Sequence, residues 1–185
     1  MNEPWDGTPQ DFERHVREQA PAVFRFFIRM GMTVEEAEDV TQETFVKIWR
    51  WLGRYDRTQK FRPWIFAIAR NTAIDFFRKK QKTPILISEE EETAQELLDT
   101  RPLPDEVLAQ KMSMDEVETG MRELDLVTRT TIVLHDGEGF TFQEIADESE
   151  ESLNTVKSRY RRGILKLREI LHRKSHEAPK IDSAS

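Results

Sequence analysis

The chain has 185 residues, 37% of them hydrophobic, a formal net charge of −7 at pH 7 and no cysteine. This length fits one large or two small domains, and the lack of cysteine excludes disulfide bonds and thiolate metal sites. No stretch approaches the roughly 20 apolar residues that a membrane-spanning helix needs, and the N-terminus has no basic start followed by an apolar run. We therefore expect a cytoplasmic protein with no membrane insertion.

Residues 8–82 are predicted to form a compact helical domain. Thr8 is a suitable N-cap for the first helix, and Thr33 with Glu36 has the spacing of a capping box at the start of the second. Pro63 is well placed at the start of a third helix. Apolar residues, Trp49 of the second helix among them, then recur at every third or fourth position, so the three helices can bury one another.

Residues 83–106 are predicted to be a flexible acidic linker. Between Ser88 and Glu106 there are eight acidic residues and one arginine, a local charge of −7 that equals the net charge of the whole chain. Such a self-repelling, proline-containing stretch is typical of a spacer. It is equally compatible with a role as a mimic of nucleic acid.

Residues 107–174 are predicted to form a second helical domain, followed by a polar tail over residues 175–185. Its last two helices begin at a capping box formed by Thr141 with Glu144 and at an N-cap supplied by Ser152. A short helix, a tight turn and a longer basic helix follow the order of a helix-turn-helix unit. The predicted fold class is therefore all-α, with two small helical domains joined by the linker.

The last helix has two distinct faces. An apolar stripe with helical spacing is expected to pack on the preceding helices; it consists of Val156, Tyr160, Ile164, Leu167 and Leu171. Polar and basic side chains near the N-terminus of the helix can reach base edges and phosphates of duplex DNA. The candidate DNA-binding residues are Asn154, Thr155, Lys157, Ser158, Arg159, Arg161 and Arg162.

Cations and aromatic residues also alternate in the first domain. This mixture suits single-stranded nucleic acid, whose bases stack on rings while its phosphates contact lysine or arginine. Aromatic residues at helical spacing are more often core, so we assign Phe66, Ile68 and Phe76 to packing and leave the roles of Tyr55 and Trp64 open.

No catalytic or metal-binding arrangement is visible in the sequence. There is no glycine-rich phosphate loop, the four histidines fall at unrelated spacings, and none lies beside a candidate nucleophile. We expect no enzymatic activity, no metal, no cofactor and no small-molecule substrate.

Two stretches resemble a known family. "AEDVTQETFVKIWRWLGRYD" with "FRPWIFAIARNTAIDFFRKK" resembles region 2 of bacterial RNA polymerase sigma factors of the sigma-70 family, and "FTFQEIADESEESLNTVKSRYRRGILKLRE" resembles their region 4. Only a linker separates the two, as in the extracytoplasmic-function (ECF, group IV) type. The resemblance implies a promoter-specificity subunit that binds core polymerase and promoter DNA and assists promoter melting in transcription initiation.

The resemblance also implies roles for individual residues. The β′ clamp helices of the polymerase would contact Asp39, Gln42, Glu43 and Phe45. The promoter −10 element would be bound by Arg54, Tyr55, Arg57, Lys60, Arg62, Trp64, Arg70, Asn71, Asp75, Arg78 and Lys79. The basic helix of region 4 would read the −35 element, its apolar surface would contact the β flap, and the linker would run through the active-site cleft and RNA exit channel. The resemblance implies an anti-sigma factor as a further partner.

One turn departs from the family pattern. Where the family usually has Leu-Gly-Ile-Ser, this chain has Ser149, Glu150, Glu151 and Ser152. Glycine relieves a left-handed backbone and isoleucine fills the core, so we expect either a remodelled turn or packing supplied by Leu153 and Phe142. We also expect weaker −35 binding than in a relative with the glycine.

Two other interpretations remain open at this point. A stand-alone helix-turn-helix regulator would bind duplex DNA without polymerase, but it leaves the region-2-like stretch "RPWIFAIARN" unexplained. An adaptor with no DNA contact leaves both basic helices unexplained.

Overall fold

The computed structural model describes residues 8–56, 58–80 and 114–177, and all regular structure in these ranges is helical. The helices are α1 (Pro9–Arg29), α2 (Val34–Trp51), α3 (Phe61–Lys80), α4 (Met114–Arg122), α5 (Leu126–Ile132), α6 (Phe142–Ser149) and α7 (Leu153–Glu177). A 3-10 turn, Leu52–Arg54, follows α2, and a π turn, Val133–Gly137, continues α5. The predicted linker over residues 83–106 lies outside the described residues, as does the end of the predicted tail.

The N-terminal unit, α1 to α3, begins where the sequence predicts. The Thr8 hydroxyl accepts a hydrogen bond from the Asp11 amide, and Thr33 and Glu36 form the complete capping box. The third helix starts at Phe61, two residues before Pro63. Proline is tolerated there because the first turn of a helix leaves its amides without intrahelical partners. Side chains of all three helices, Phe26, Ile48 and Phe66 among them, are fully or almost fully buried in the shared core.

The C-terminal unit, α4 to α7, packs its helices closely. Thr141 and Glu144 form the predicted capping box, and Ser152 caps α7 by accepting from the Thr155 amide at 3.0 Å. α7 crosses α5 at Gly163, where an added Cβ would lie 2.4 Å from Thr128 Cγ2. The predicted apolar stripe of α7 faces this core, with Val156, Leu167 and Leu171 buried and Tyr160 and Ile164 partly buried.

The two units also pack directly on each other, which the sequence did not predict. The Phe66 ring of α3 contacts Phe140, which lies just before α6, with centroids 5.1 Å apart. The buried guanidinium of Arg129 on α5 donates to the Met30 carbonyl at the end of α1 and to the Arg122 and Leu124 carbonyls within its own unit. One continuous apolar core therefore joins both units.

Candidate nucleic-acid and polymerase interfaces

The turn between α6 and α7 keeps a left-handed residue without glycine. Glu150 has φ 56° and ψ 33°, and Gly31 and Gly139 are the other described residues with positive φ. Its amide closes the end of α6 by donating to the Asp147 carbonyl. The turn is therefore not remodelled, and Glu150 carries the backbone strain that the family's glycine relieves.

The position next to it shows how the missing isoleucine is replaced. The Glu151 carboxylate forms a two-pronged ion pair with the Arg159 guanidinium on α7, one bond of which measures 2.7 Å. This hydrogen bonding from Arg159 lowers the pKa of Glu151, and Arg70 contributes further through its charge. The Phe142 ring packs elsewhere: it stacks on His135 with centroids 3.9 Å apart and meets Tyr160 edge-on. An ion pair therefore joins the turn to the basic helix where the family pattern has an aliphatic contact.

The −35 candidates lie mainly on the solvent side of α7. Val156 is completely buried and fixes the rotation of the helix. The exposed candidates are Asn154, Thr155, Lys157, Ser158 and Arg162; Arg159 and Arg161 are partly buried. The structure thus brings the predicted set together on one face, although Arg159 already binds Glu151.

Three of the −10 candidates lie at the contact between the two units. Lys60 Nζ donates to Glu144 Oε1 at 2.7 Å, and Arg62 Nη2 donates to the Glu138 carbonyl at 2.9 Å. Arg70 Nη2 donates to the Glu148 carbonyl at 3.2 Å. Burial lowers the pKa of both arginines, and both stay charged because the ordinary pKa of arginine is far above 7.

The remaining polar −10 candidates are exposed. They are Arg54 after α2 and Asn71, Asp75, Arg78 and Lys79 along α3. Arg57 lies outside the described residues. These side chains are open to a ligand in the observed arrangement.

The two aromatic −10 candidates belong to a ring cluster. Tyr55 is only 7% exposed and its hydroxyl donates to the Gln59 carbonyl. Its ring lies 4.9 Å from Trp64 and 5.0 Å from Phe61. Phe66 and Ile68 are buried and Phe76 is partly buried, as expected for packing residues. In this conformation Tyr55 is a core residue, while Trp64 keeps part of its surface exposed.

The polymerase candidates form a polar stripe on α2. Asp39, Gln42 and Glu43 are exposed, and Phe45 is partly buried. Glu43 pairs with Lys47 at 2.8 Å, and that hydrogen bond lowers the pKa of Glu43.

Exposed apolar residues near the stripe were missed. The helical spacing placed Trp49 on the packed side of α2, yet it is 52% exposed, while one edge contacts Phe12. Val46 and Trp51 are also exposed.

Sequence reasoning also missed the residues that join the two units. The Glu138 side chain is 3% exposed and lies between Arg29 and Arg62. These partners are separated by 109 and 76 positions in the chain. No local pattern can connect residues that far apart.

Comparisons with known proteins decide the family. The model described as sigma-70 region 2 matches residues 15–83, and the model described as sigma-70, region 4, matches residues 114–167. The RNA polymerase sigma factor CarQ of Myxococcus xanthus is 31% identical over 166 residues, covering 90% of this chain and 92% of CarQ. The chain belongs to the sigma-70 family of RNA polymerase sigma factors.

Other relatives agree with this assignment. The ECF RNA polymerase sigma factor SigX of Bacillus subtilis is 28% identical over 148 residues, covering 79% of this chain and 76% of SigX. The sigma factor is accordingly of the ECF type. It is a promoter-specificity subunit of RNA polymerase, and the interpretation as a stand-alone regulator is not favoured.

Solved structures share the fold. CnrH, solved in complex with the cytosolic domain of CnrY, superposes with a TM-score of 0.66 at 24% identity, covering 90% of this chain and 91% of CnrH. RpoE of Bartonella quintana, solved with the anti-sigma factor NepR, gives a TM-score of 0.65 at 23% identity, covering 88% of this chain and 98% of RpoE. The all-α class with two helical units is thus confirmed. No helix in the described parts of the chain is both long and apolar enough to cross a membrane.

Proposed function

We propose that this sigma factor reads the −35 element with the N-terminal part of α7. The observation that carries the proposal is the exposure of Asn154, Thr155, Lys157 and Ser158 on one face, held by the buried Val156 behind them. Short polar side chains at the start of a recognition helix reach base edges, and the lysine contacts phosphate.

Binding of the −10 element is assigned to α3 and the loop before it. Among the phosphate-binding candidates, Lys60 lies just before α3, and Arg62, Arg70, Arg78 and Lys79 follow along the helix. Phosphate contacts fix the path of a strand, and base recognition requires the other polar groups, Asn71 and Asp75. The partly exposed ring of Trp64 offers a stacking surface for an unpaired base.

The binding site for core polymerase is assigned to the exposed stripe of α2 formed by Asp39, Gln42 and Glu43, with Phe45 at its edge. The β′ clamp helices would dock here, and the β flap would contact region 4. The domain bounds remain residues 8–82 for region 2 and 107–174 for region 4, joined by the acidic linker. Nucleotidyl transfer belongs to the polymerase core, so the sigma factor itself has no enzymatic role. It acts in the cytoplasm.

An inhibitory protein partner is a further part of the proposal. The structurally similar sigma factor RpoE was solved with the anti-sigma factor NepR, and CnrH was solved with the cytosolic domain of CnrY. The exposed apolar residues Val46, Trp49 and Trp51 on α2 would suit burial by a protein of that kind.

Run-off transcription with purified core polymerase tests the assignment of α7. Lys157→Gln is expected to lower promoter-dependent product about five- to tenfold, since it removes a phosphate contact of about 1 kcal/mol or more. Lys166→Gln removes the same charge from an exposed site about two and a half turns further along α7 and is expected to change the product less than twofold. Equal losses from both variants would contradict the assignment, and absence of promoter-dependent product from the wild type would contradict the sigma function.

A further inference from the structure

Trp51, the last residue of α2, leaves a large part of its ring open to solvent. Its side chain belongs to a residue that is 43% exposed, although Leu52 directly after it is buried in the core. The flat face of an exposed tryptophan is a surface on which an unpaired nucleic-acid base can stack. Whether Trp51 can meet DNA depends on which side of α2 it occupies.

α2 and α3 lie side by side and run in opposite directions. Lys80 at the end of α3 binds Glu36 at the start of α2 at 2.5 Å, and Lys47 further along α2 donates to Thr72 of α3 at 3.3 Å. Trp51 follows Lys47 by four positions, so it lies about one turn further along the same side of α2. Trp51 therefore faces the turn of α3 that precedes Thr72.

This part of α3 carries the stripe to which base contacts are assigned. Four residues follow one another at steps of four, three and four and so share one side of α3; they are Trp64, Ile68, Asn71 and Asp75. Ile68 is buried in the turn opposite Trp51, Trp64 is partly buried, and Asn71 and Asp75 are exposed. The open part of the Trp51 ring thus adjoins the stripe.

Two cations flank Trp51 at the end of α2. Arg50 and Arg54 are both exposed. A single strand that crosses this surface would place phosphates near the guanidinium groups and a base near the ring, which is the usual combination in single-strand binding. Trp51, Arg50 and Arg54 are accessible in the observed arrangement of the two units.

Trp49 provides a contrast on the same helix. It is 52% exposed, but two positions place it about 200° away from Trp51 around the helix axis. Its ring packs on Phe12 of α1, with centroids 4.8 Å apart. Trp49 therefore lies on the side of α2 next to α1, and Trp51 lies on the side next to α3.

We propose that Trp51 stacks on an unpaired base of the melted promoter strand, beside the base that contacts Trp64, while Arg54 contacts the phosphate backbone. This inference rests on the proposed assignment of the −10 element to α3. Stacking tolerates every base, so Trp51 holds the strand unpaired and does not read its sequence. An inhibitory protein that covers Trp51 would block this contact.

Single-strand binding by the full chain tests the proposal. Affinity is measured by fluorescence anisotropy with a labelled random-sequence 12-nucleotide DNA single strand, and with an abasic strand of the same length that keeps the phosphates. Every protein carries Lys157→Gln and Arg162→Gln, which suppress binding by α7. Trp49→Ala is the matched control for Trp51→Ala, since it removes a similarly exposed ring from the same helix.

Trp51→Ala is expected to bind the natural strand about fivefold more weakly, at the lower end of the range for loss of one base stack. Trp51→Phe, which keeps a ring, is expected to stay within twofold, as is Trp49→Ala. On the abasic strand Trp51→Ala should have no effect, because no base is left to stack. Equal losses from Trp49→Ala and Trp51→Ala would overturn the proposal, as would a loss that persists on the abasic strand.

A second pair of variants separates this inference from the proposed function. Arg78 is exposed near the end of α3, whereas Arg17 is exposed on α1 and pairs with Glu13. Arg78→Gln is expected to weaken binding of both strands more than Arg17→Gln does, because it removes a phosphate contact. If Arg78→Gln weakens binding in this way and Trp51→Ala does not, the assignment of α3 stands and the role of Trp51 is wrong. If neither variant weakens binding, both are wrong.

Discussion

Glu150 adopts the left-handed conformation of the turn between α6 and α7, and it does so with backbone strain. Its φ of 56° is the left-handed value that glycine adopts without cost, whereas a residue with a Cβ is disfavoured there by about 1 kcal/mol. We predict that Glu150→Gly raises the free energy of unfolding by about 0.5–1 kcal/mol in urea denaturation. Ser149→Gly, one residue earlier in helical backbone, is expected to lower it by about as much. Similar destabilisation by both variants would show that the turn is not strained at Glu150.

The neighbouring ion pair gives a pH dependence with a definite sign. Because Arg159 lowers the pKa of Glu151 in the folded protein, Glu151 stabilises the fold above the ordinary glutamate pKa of about 4.3 and loses that contribution as the pH falls through the lowered value. Because solvent screens this partly exposed pair, we expect it to contribute about 1 kcal/mol to the free energy of unfolding. In urea denaturation, Glu151→Gln should therefore be less stable than the wild type from pH 5 to 7, and the difference should shrink as the pH falls below the ordinary glutamate pKa. A difference independent of pH would contradict this assignment.

At the scale of helices, the sequence predicted well those features that depend on residues close together in the chain. The caps at Thr8, Thr33, Thr141 and Ser152 follow from side-chain to amide contacts three residues apart, so the pattern contains both partners. Trp49 was misplaced because helical spacing identifies a stripe but does not fix its width. The predicted buried face of α7 was correct because the apolar spacing repeats over many turns of this long helix.

The crossing of α5 and α7 is a close helix contact at Gly163. A Cβ at Gly163 would lie 2.4 Å from Thr128 Cγ2 and 3.0 Å from Ile132 Cδ1. Gly163→Ala is expected to lower the free energy of unfolding by about 1–3 kcal/mol, as for other overpacked contacts, and to lower −35 binding by moving α7. Gly53→Ala is the control, since nothing lies within 4 Å of its added Cβ. Thermal unfolding followed by circular dichroism distinguishes the two, and an unchanged melting temperature for Gly163→Ala would contradict the close packing.

At the scale of the molecule, the sequence predicts the two units but not how they meet. Arg29 and Glu138 are 109 positions apart, and Arg129 and Met30 are 99 apart, so neither pair leaves a local signature. The acidic linker carries a charge equal to the net charge of the whole chain, so the sequence suggested no acidic partners for the basic segments within the folded regions. In the folded chain, acids of region 4 itself neutralise cations of region 2.

The continuous core gives a prediction about cooperativity. Because Phe140 joins the cores of both regions through Phe66, we expect a single calorimetric unfolding transition for the wild type. Phe140→Ala should lower stability by about 3 kcal/mol or more and split the transition in two, since it removes the ring contact with Phe66 that joins the two cores. Phe142→Ala is the matched control: its ring contacts His135 and Tyr160 inside region 4, so it should lower the melting temperature without splitting the peak. Two transitions already present in the wild type would contradict this prediction, because they would mean that the two regions unfold independently despite the contact between Phe66 and Phe140.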